Sequence, residues 1–275
     1  ECVTEVKLYD GKEMVASGKS MNGADITLTV PNAKLWSPES PFLYDMEVTL
    51  SRNGKVVDKV KSYAAMRKFS MKMGDDHIIR LQLNNEDYFQ FGTLDQGYWP
   101  DGLYTAPTDE ALAFDIIKTK ELGYNMIRKH IKVEPARWFY HCDRLGLVVW
   151  QDFVNGGGDY KFTHVAAFPF LGFHHKDDDY AYFAREDAAS RARFEEAAED
   201  TVRQLYNCVS IGLWVPFNEG WGQKDEGEVY AVLKKQHPQM LFDTASPFAP
   251  LYSVLLVPLF QICLILTLLG ALSIP

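Results

Sequence analysis

The chain has 275 residues, a net charge of −9 and a pI near 5.3, with 47% hydrophobic and 24% charged residues. That length holds one large domain or two ordinary ones, and that balance is the one of a soluble globular protein. An acidic chain without a Lys/Arg cluster lacks the basic face of a nucleic-acid binder, so no nucleic-acid partner is expected. Cys2, Cys142, Cys208 and Cys263 are scattered without metal-ligand or redox-motif spacing and read as small buried hydrophobes. No signal peptide is visible, and the chain opens in mid-pattern without Met, so its natural start is expected upstream.

Residues 1–72 read as all-β. Val6-Lys7-Leu8-Tyr9, Ile26-Thr27-Leu28-Thr29-Val30 and Asp45-Met46-Glu47-Val48-Thr49-Leu50 each alternate, and Asn53-Gly54 is a hairpin turn signal before Val56-Val57-Asp58-Lys59-Val60. Short strands at this spacing predict an antiparallel β-sandwich of immunoglobulin-like size, and no chemistry is concentrated there. After Met73 apolar strands alternate with helices. Tyr88–Phe91 is the first strand expected. Thr108 caps a helix with Asp109 and Glu110 in its first turn, Leu112, Ala113, Ile116 and Ile117 on its apolar stripe and Gly123 at its end. Asn125–His130 is a second strand, and Pro135 and Gly146 bound the next helix. Leu147–Trp150 is a third strand, continuous and so buried on both faces. Helix 186–207, strand Ile211–Phe217, helix 224–236 and a fifth strand opening at Leu241-Phe242 follow. Repeated β-α units predict a parallel sheet, either a (β/α)8 TIM barrel or a doubly wound sheet, and the lack of a glycine-rich turn after the first strand weighs against a dinucleotide fold.

Around Ser246 this pattern breaks, and residues 250–275 carry no charge over a length that meets the criterion for a membrane span. Three readings compete: a shifted reading frame, a membrane anchor, or a buried barrel segment. The first leads, because a parallel barrel stopped after four and a half units exposes unpaired backbone and apolar faces. A membrane partner is expected only if the 250–275 tail is genuine.

In parallel barrels the chemistry sits at the C-terminal ends of the strands. Those ends supply Asp95 and Gln96, then Arg128 and His130, then Asp152, then Asn218 and Glu219. Glu219 closes an apolar strand beside an amide and a glycine, the arrangement of a general acid/base, or else it is a surface Glu opening a helix. Asn218 can hold a sugar 2-hydroxyl or cap a helix. Arg128 and His130, two apart on a strand, share a side and line a pocket or join a buried ion-pair network. Asp152 bonds a sugar hydroxyl or, the leading reading, orients Arg128. Trp99, Trp150, Trp214 and Trp221 offer flat apolar faces that suit sugar rings, with core packing the leading reading for Trp150. The run His174-His175-Lys176-Asp177-Asp178-Asp179 lacks zinc or EF-hand spacing and reads as a solvated loop that shapes a pocket.

The run Phe91 to Tyr104 resembles the barrel entry of the family 2 glycoside hydrolases, the β-galactosidase and β-glucuronidase group. So do Asn125-Met126-Ile127-Arg128-Lys129-His130, Cys142-Asp143-Arg144-Leu145-Gly146 and the strand from Trp214 to Glu219, and Leu35 to Pro41 with Met66-Arg67-Lys68 resemble that family's immunoglobulin-like domain. The resemblance covers roughly residues 30–246. It implies a retaining exo-acting β-glycosidase on a (β/α)8 barrel, with Glu219 as acid/base, Asn218 on the 2-hydroxyl, Arg128 and His130 in the pocket, and a nucleophilic glutamate after strand seven, beyond this chain. The expected organisation is an immunoglobulin-like domain over 1–72, the N-terminal half of the catalytic barrel over 73–246, and an apolar tail over 247–275. Substrate-binding candidates are Asn218, His130, Arg128, Asp95, Asp152 and Trp214, with a carbohydrate as substrate. No cofactor is required by that chemistry, and no metal site is assigned. A periplasmic or extracellular location is favoured for the parent enzyme. The alternative is a non-catalytic carbohydrate-binding or membrane-tethered remnant.

Overall fold

The computed structural model describes residues 2–243 other than 169, 170, 172, 174 and 219–221. The apolar tail expected over 247–275 lies outside the described residues, and so does Glu219. Among the described residues no helix is long and apolar enough to cross a membrane.

Four strands open the chain: β1 (Cys2–Asp10), β2 (Glu13–Met21), β3 (Tyr44–Arg52) and β4 (Lys55–Ala64). They form one antiparallel sheet in the order β2-β1-β3-β4. The β3–β4 turn is Asn53-Gly54, both at positive φ (50° and 77°), the backbone whose twist matches that of paired strands. Leu8 and Tyr44 are the most buried side chains of the sheet. Strand β4 is a border strand and carries Lys55, Lys59 and Lys61.

Ile26–Val30 is not a strand, contrary to its pattern. Its backbone joins no sheet, yet Ile26, Leu28 and Val30 are half-buried while Thr27 and Thr29 are exposed. A Cβ on Gly18 of β2 would sit 2.7 Å from Ile26 Cγ2 and 2.8 Å from Leu28 Cδ2, so the segment lies directly over β2. Alternation reports which side chains face the core, and that holds for an extended segment without ladder hydrogen bonds. A three-stranded antiparallel sheet follows, unanticipated from sequence: β5 (Phe69–Met73), β6 (Ile79–Leu83) and β7 (Glu86–Asp87).

The first strand of the next sheet is β8 (Gly92–Asp95), displaced from the expected Tyr88–Phe91. The displacement has a steric cause. A Cβ at Gly92 would lie 1.8 Å from the carbonyl oxygen of Met126, so only glycine permits the pairing. Then come α1 (Asp109–Glu121), β9 (Met126–Lys129), α2 (Ala136–Leu145), β10 (Val148–Asp152), a π-helical turn (Thr163–Ala167), α3 (Ala188–Leu205), β11 (Ile211–Val215) and α4 (Glu226–Gln236). The sheet order is β11-β10-β9-β8. The bonds Val149 N–H to Ser210 O (2.9 Å) and Phe153 N–H to Val215 O (2.9 Å) advance together along both strands, the signature of a parallel pair. A parallel bridge from Trp214 to Phe242 extends that edge, as expected for the strand opening at Leu241.

Local chemistry sets the helix ends. Thr108 Oγ1 accepts the Ala111 N–H at 3.1 Å and caps α1. Gly146 ends α2 at φ 75°, with its N–H on Cys142 O. The Lys120 ammonium donates to the carbonyls of Leu145 and Gly146 at the negative end of α2, and to that of Pro38. Val148 and Val149 of β10 and all of β11 are buried, and Gly212 leaves room for the Phe69 ring, 2.9 Å from a Cβ placed there.

The chain divides into two compact units. Glu1–Ile127, Glu134–Val149 and Leu205–Gly212 make the first; Arg128–Val133, Trp150–Gln204 and the described residues from Leu213 on make the second. Strands β9, β10 and β11 each begin in the first unit and end in the second, so the ends of these three strands belong to the second, while Asp95 and Gln96 belong to the first.

Candidate functional site

Arg128 stands one residue before the end of β9, and Asp152 ends β10. Arg128 Nε donates to Asp152 Oδ1 at 2.8 Å and Nη2 to Asp152 Oδ2 at 3.0 Å. This two-point match of a planar fork to a carboxylate fixes both side chains. Nη2 also donates to Asn218 Oδ1 at 2.9 Å. The ends of three successive strands are thereby tied to one guanidinium. The Asp152 carboxyl is 1% exposed and Asn218 7%, while Arg128 is half-buried. Burial pushes the Asp152 carboxyl above the usual carboxylate range, opposed by the Arg128 hydrogen bonds and charge and by the charge of His130.

The structure thus brings Arg128, His130, Asp152 and Asn218 together. Trp214 belongs to the same unit but is 2% exposed, packed 5.9 Å from the Phe153 ring, with its backbone paired to Leu241 and Asp243. Its ring sits in the core rather than at a surface a sugar reaches. Asp95 ends β8 in the first unit, where its Oδ1 accepts the Gly97 N–H at 2.7 Å.

Sequence reasoning missed Asp243, which follows the strand opening at Leu241 and so obeys the same strand-end rule. Burial raises its carboxyl, with the Arg128 charge lowering it and the Asp152 charge raising it further, which places Asp243 in the same electrostatic neighbourhood. The acidic run after His174 is also more than a solvated loop. Asp177 Oδ2 accepts the Glu226 N–H at 2.6 Å and so caps α4 from a distance, and the Tyr180 hydroxyl donates to Asp225 at 2.9 Å. No spacing rule links residues almost fifty positions apart. The Tyr182 ring is stacked between His164 (4.1 Å) and His175 (3.9 Å) in this loop. Among the described residues, no group of three or more His, Cys, Asp or Glu is arranged to hold a metal ion.

A second polar cluster lies in the first unit. Asp143, on α2, is fully buried; its Oδ1 accepts the Ser210 N–H (2.7 Å) and its Oδ2 the Val209 N–H (3.1 Å) and the Tyr63 hydroxyl (2.8 Å). Its carbonyl accepts Trp36 Nε1–H at 2.7 Å. Arg67 donates to the carbonyls of Val209 and Ile211, so both faces of the lead into β11 are held. Burial, then the Asp143 charge, pushes the nearby Cys208 thiol up to about 12.

The family model for Glycosyl hydrolases family 2 matches residues 3–67. The chain is 31% identical over 149 residues to a β-galactosidase of Lactococcus lactis, covering 54% of this chain and 14% of that protein. It is 25% identical over 232 residues to a β-glucuronidase of Bacteroides fragilis, covering 78% of this chain and 29% of that protein. The fold matches that of an FMN-binding β-glucuronidase from Facaelibacterium prausnitzii (TM-score 0.69, 21% identity, 88% of this chain and 34% of that one). It also matches a β-glycosidase from Bacteroides vulgatus (TM-score 0.65, 19% identity, 88% and 29%). The chain therefore spans between about a seventh and a third of the length of these relatives. The family model, the sequence relatives and the fold together make this chain similar, over part of their length, to the family 2 glycosyl hydrolases.

Proposed function

We propose that the chain belongs to a retaining exo-β-glycosidase that cleaves O-glycosyl bonds of β-glycosides, with Glu219 as the acid/base. In this reading residues 1–72 are an immunoglobulin-like sandwich, residues 73–246 the first half of a (β/α)8 barrel, and 247–275 a tail outside both. The observation that carries it is the hold of Arg128 on Asp152 and Asn218. Because the guanidinium only donates, the Asn218 atom facing it is Oδ1, and the Asn218 NH2 group is left to donate elsewhere. That is the group a sugar 2-hydroxyl oxygen needs, on the residue adjacent to Glu219. In this reading His130 and Asp152 are further substrate-binding residues beside Asn218, Asp95 is a separate candidate, and Trp214, buried in the core, is not one.

The chemistry is double displacement. The Glu219 carboxyl gives its proton to the glycosidic oxygen as the bond from that oxygen to the anomeric carbon breaks. A second carboxylate, which the family resemblance puts after strand seven, attacks the anomeric carbon and forms a glycosyl ester. Glu219, now a carboxylate, takes a proton from water while the water oxygen attacks the same carbon; the ester bond breaks and both carboxyl groups return to their starting states. No step calls on a cofactor.

The test is a barrel completed to full length, assayed on aryl β-glycosides. Glu219→Gln there lowers turnover by about 10²–10⁴-fold. A completed barrel with Glu219 intact that hydrolyses none of a galactoside, glucuronide and mannoside panel overturns the reading.

A further inference from the structure

Arg67 stands beside the closed Asp143 cluster, yet its own fork is only partly used. It lies between β4 and β5 and is half-buried. Its Nε donates to the Val209 carbonyl at 2.9 Å and its Nη2 to the Ile211 carbonyl at 3.3 Å, and the Phe69 ring centre lies 5.0 Å from the guanidinium carbon. One edge and one face of the guanidinium are thereby fixed. Of the five N–H donors of a guanidinium, both on Nη1 and the second on Nη2 make no hydrogen bond among the described residues. Nη1 is not sealed from solvent. Burial works against the Arg67 charge and the Asp143 charge works for it, but the Asp143 oxygens are taken by Ser210, Val209 and Tyr63. Among the described residues no carboxylate pairs with this guanidinium, although a cation drawn out of water ordinarily has such a partner.

Arg67 lines a cavity of about 320 Å³ that lies wholly within the first unit, a volume in the range of small-molecule sites. Met46 of β3, Ala65 and Val209 give the cavity apolar walls, and Ser62 and Asn207, both exposed, stand at its opening. We propose that this cavity binds a small organic carboxylate, whose oxygens take the N–H pair at the end of the Arg67 fork and whose carbon body lies against Met46, Ala65 and Val209. Two parallel N–H groups on one guanidinium edge match the two oxygens of a carboxylate. The Val209 and Ile211 carbonyls occupy the other edge, so the fork is oriented before a ligand arrives and loses little freedom on binding. The site shares no residue with the strand ends of Arg128, Asp152 and Asn218, which lie in the second unit, and it is independent of the glycosidase reading.

Benzoate titrated into the full chain at neutral pH, followed by calorimetry and by the melting temperature, tests this, with benzamide as the uncharged control. Benzoate is expected to saturate with a Kd on the order of 1 mM and to raise the melting temperature as it does. Benzamide is expected to bind about 10-fold more weakly or less. Arg67→Met removes the donors and is expected to weaken benzoate by about 10-fold or more. Because Arg67 also holds the lead into β11, Ala65→Leu carries the test if Arg67→Met does not fold. It adds bulk to the wall, removes none of the Arg67 hydrogen bonds, and is expected to weaken benzoate to a similar extent. Three outcomes overturn the proposal: equal affinity for benzoate and benzamide, benzoate binding that survives both substitutions, or no saturation up to about 100 mM, a hundredfold above the expected constant.

Discussion

Two clusters in this molecule use the same ingredients to opposite ends. In the first unit Asp143 is closed: two backbone N–H groups and a phenol hydroxyl occupy its two oxygens. In the second unit Arg128 gathers Asp152 and Asn218, yet the Asn218 NH2 group makes no hydrogen bond among the described residues. A closed cluster has nothing left to offer a ligand, and its worth lies in holding the lead into β11. An open one keeps a donor in reserve at the end of that same strand. Burial alone does not separate the two, since Asp143 and Asp152 are both inaccessible; what separates them is whether every donor and acceptor has been used.

That contrast can be broken by mutation. Asp143→Ala strands the Val209 and Ser210 N–H groups and the Tyr63 hydroxyl in the interior, and is expected to cost about 3–5 kcal/mol. Urea denaturation reads this, and a loss below about 1 kcal/mol would show that the cluster holds little. Cys208 probes the same closure chemically. With its thiol pushed up to about 12 by burial and the Asp143 charge, its thiolate is scarce at pH 8. Alkylation is expected to run about 10³-fold slower than at an ordinary thiol; mass mapping after an iodoacetamide time course measures it, and rapid labelling would mean that water reaches the cluster. Gly146→Ala strikes the end of the helix that carries Asp143. The left-handed backbone disfavours a side chain, and a Cβ would meet the Pro38 carbonyl at 2.6 Å, so a loss of about 1–3 kcal/mol in thermal or urea melts is expected. The smallest effect on stability belongs to the open cluster. Asn218→Ala is expected to cost about 1 kcal/mol or less while lowering turnover of the completed enzyme by about 10²-fold. A large stability loss with unchanged turnover would place Asn218 among the holding residues instead.

Much of this was legible from the chain itself, for reasons that differ by residue. Thr108 and Gly146 announce helix ends because capping is local chemistry, complete within a few residues. Arg128, Asp152 and Asn218 could be singled out because strand ends of a parallel sheet converge, so a polar residue closing an apolar run is informative about place. The Ile26–Val30 pattern misled because alternation encodes a face and not a partner. Tyr88–Phe91 misled because the aromatic run is β-prone, whereas the strand starts where a glycine admits the Met126 carbonyl. Asp177 gave no signal at all. Its partner lies far along the chain, and nothing periodic connects the two.

The fork of Arg128 also imposes a polarity on recognition. By claiming the amide oxygen of Asn218 it removes the ambiguity an asparagine normally carries, and what it leaves over is donor only. Such a group greets a lone pair and repels a proton. Under the proposed function, a sugar with a hydroxyl at carbon 2 would satisfy it, a 2-deoxy sugar would leave it unanswered, and a protonated 2-amino sugar would set donors against donors. The Arg128–Asp152 salt bridge would thereby decide, under that function, which substituent is accepted at a ring position that the bridge itself does not contact.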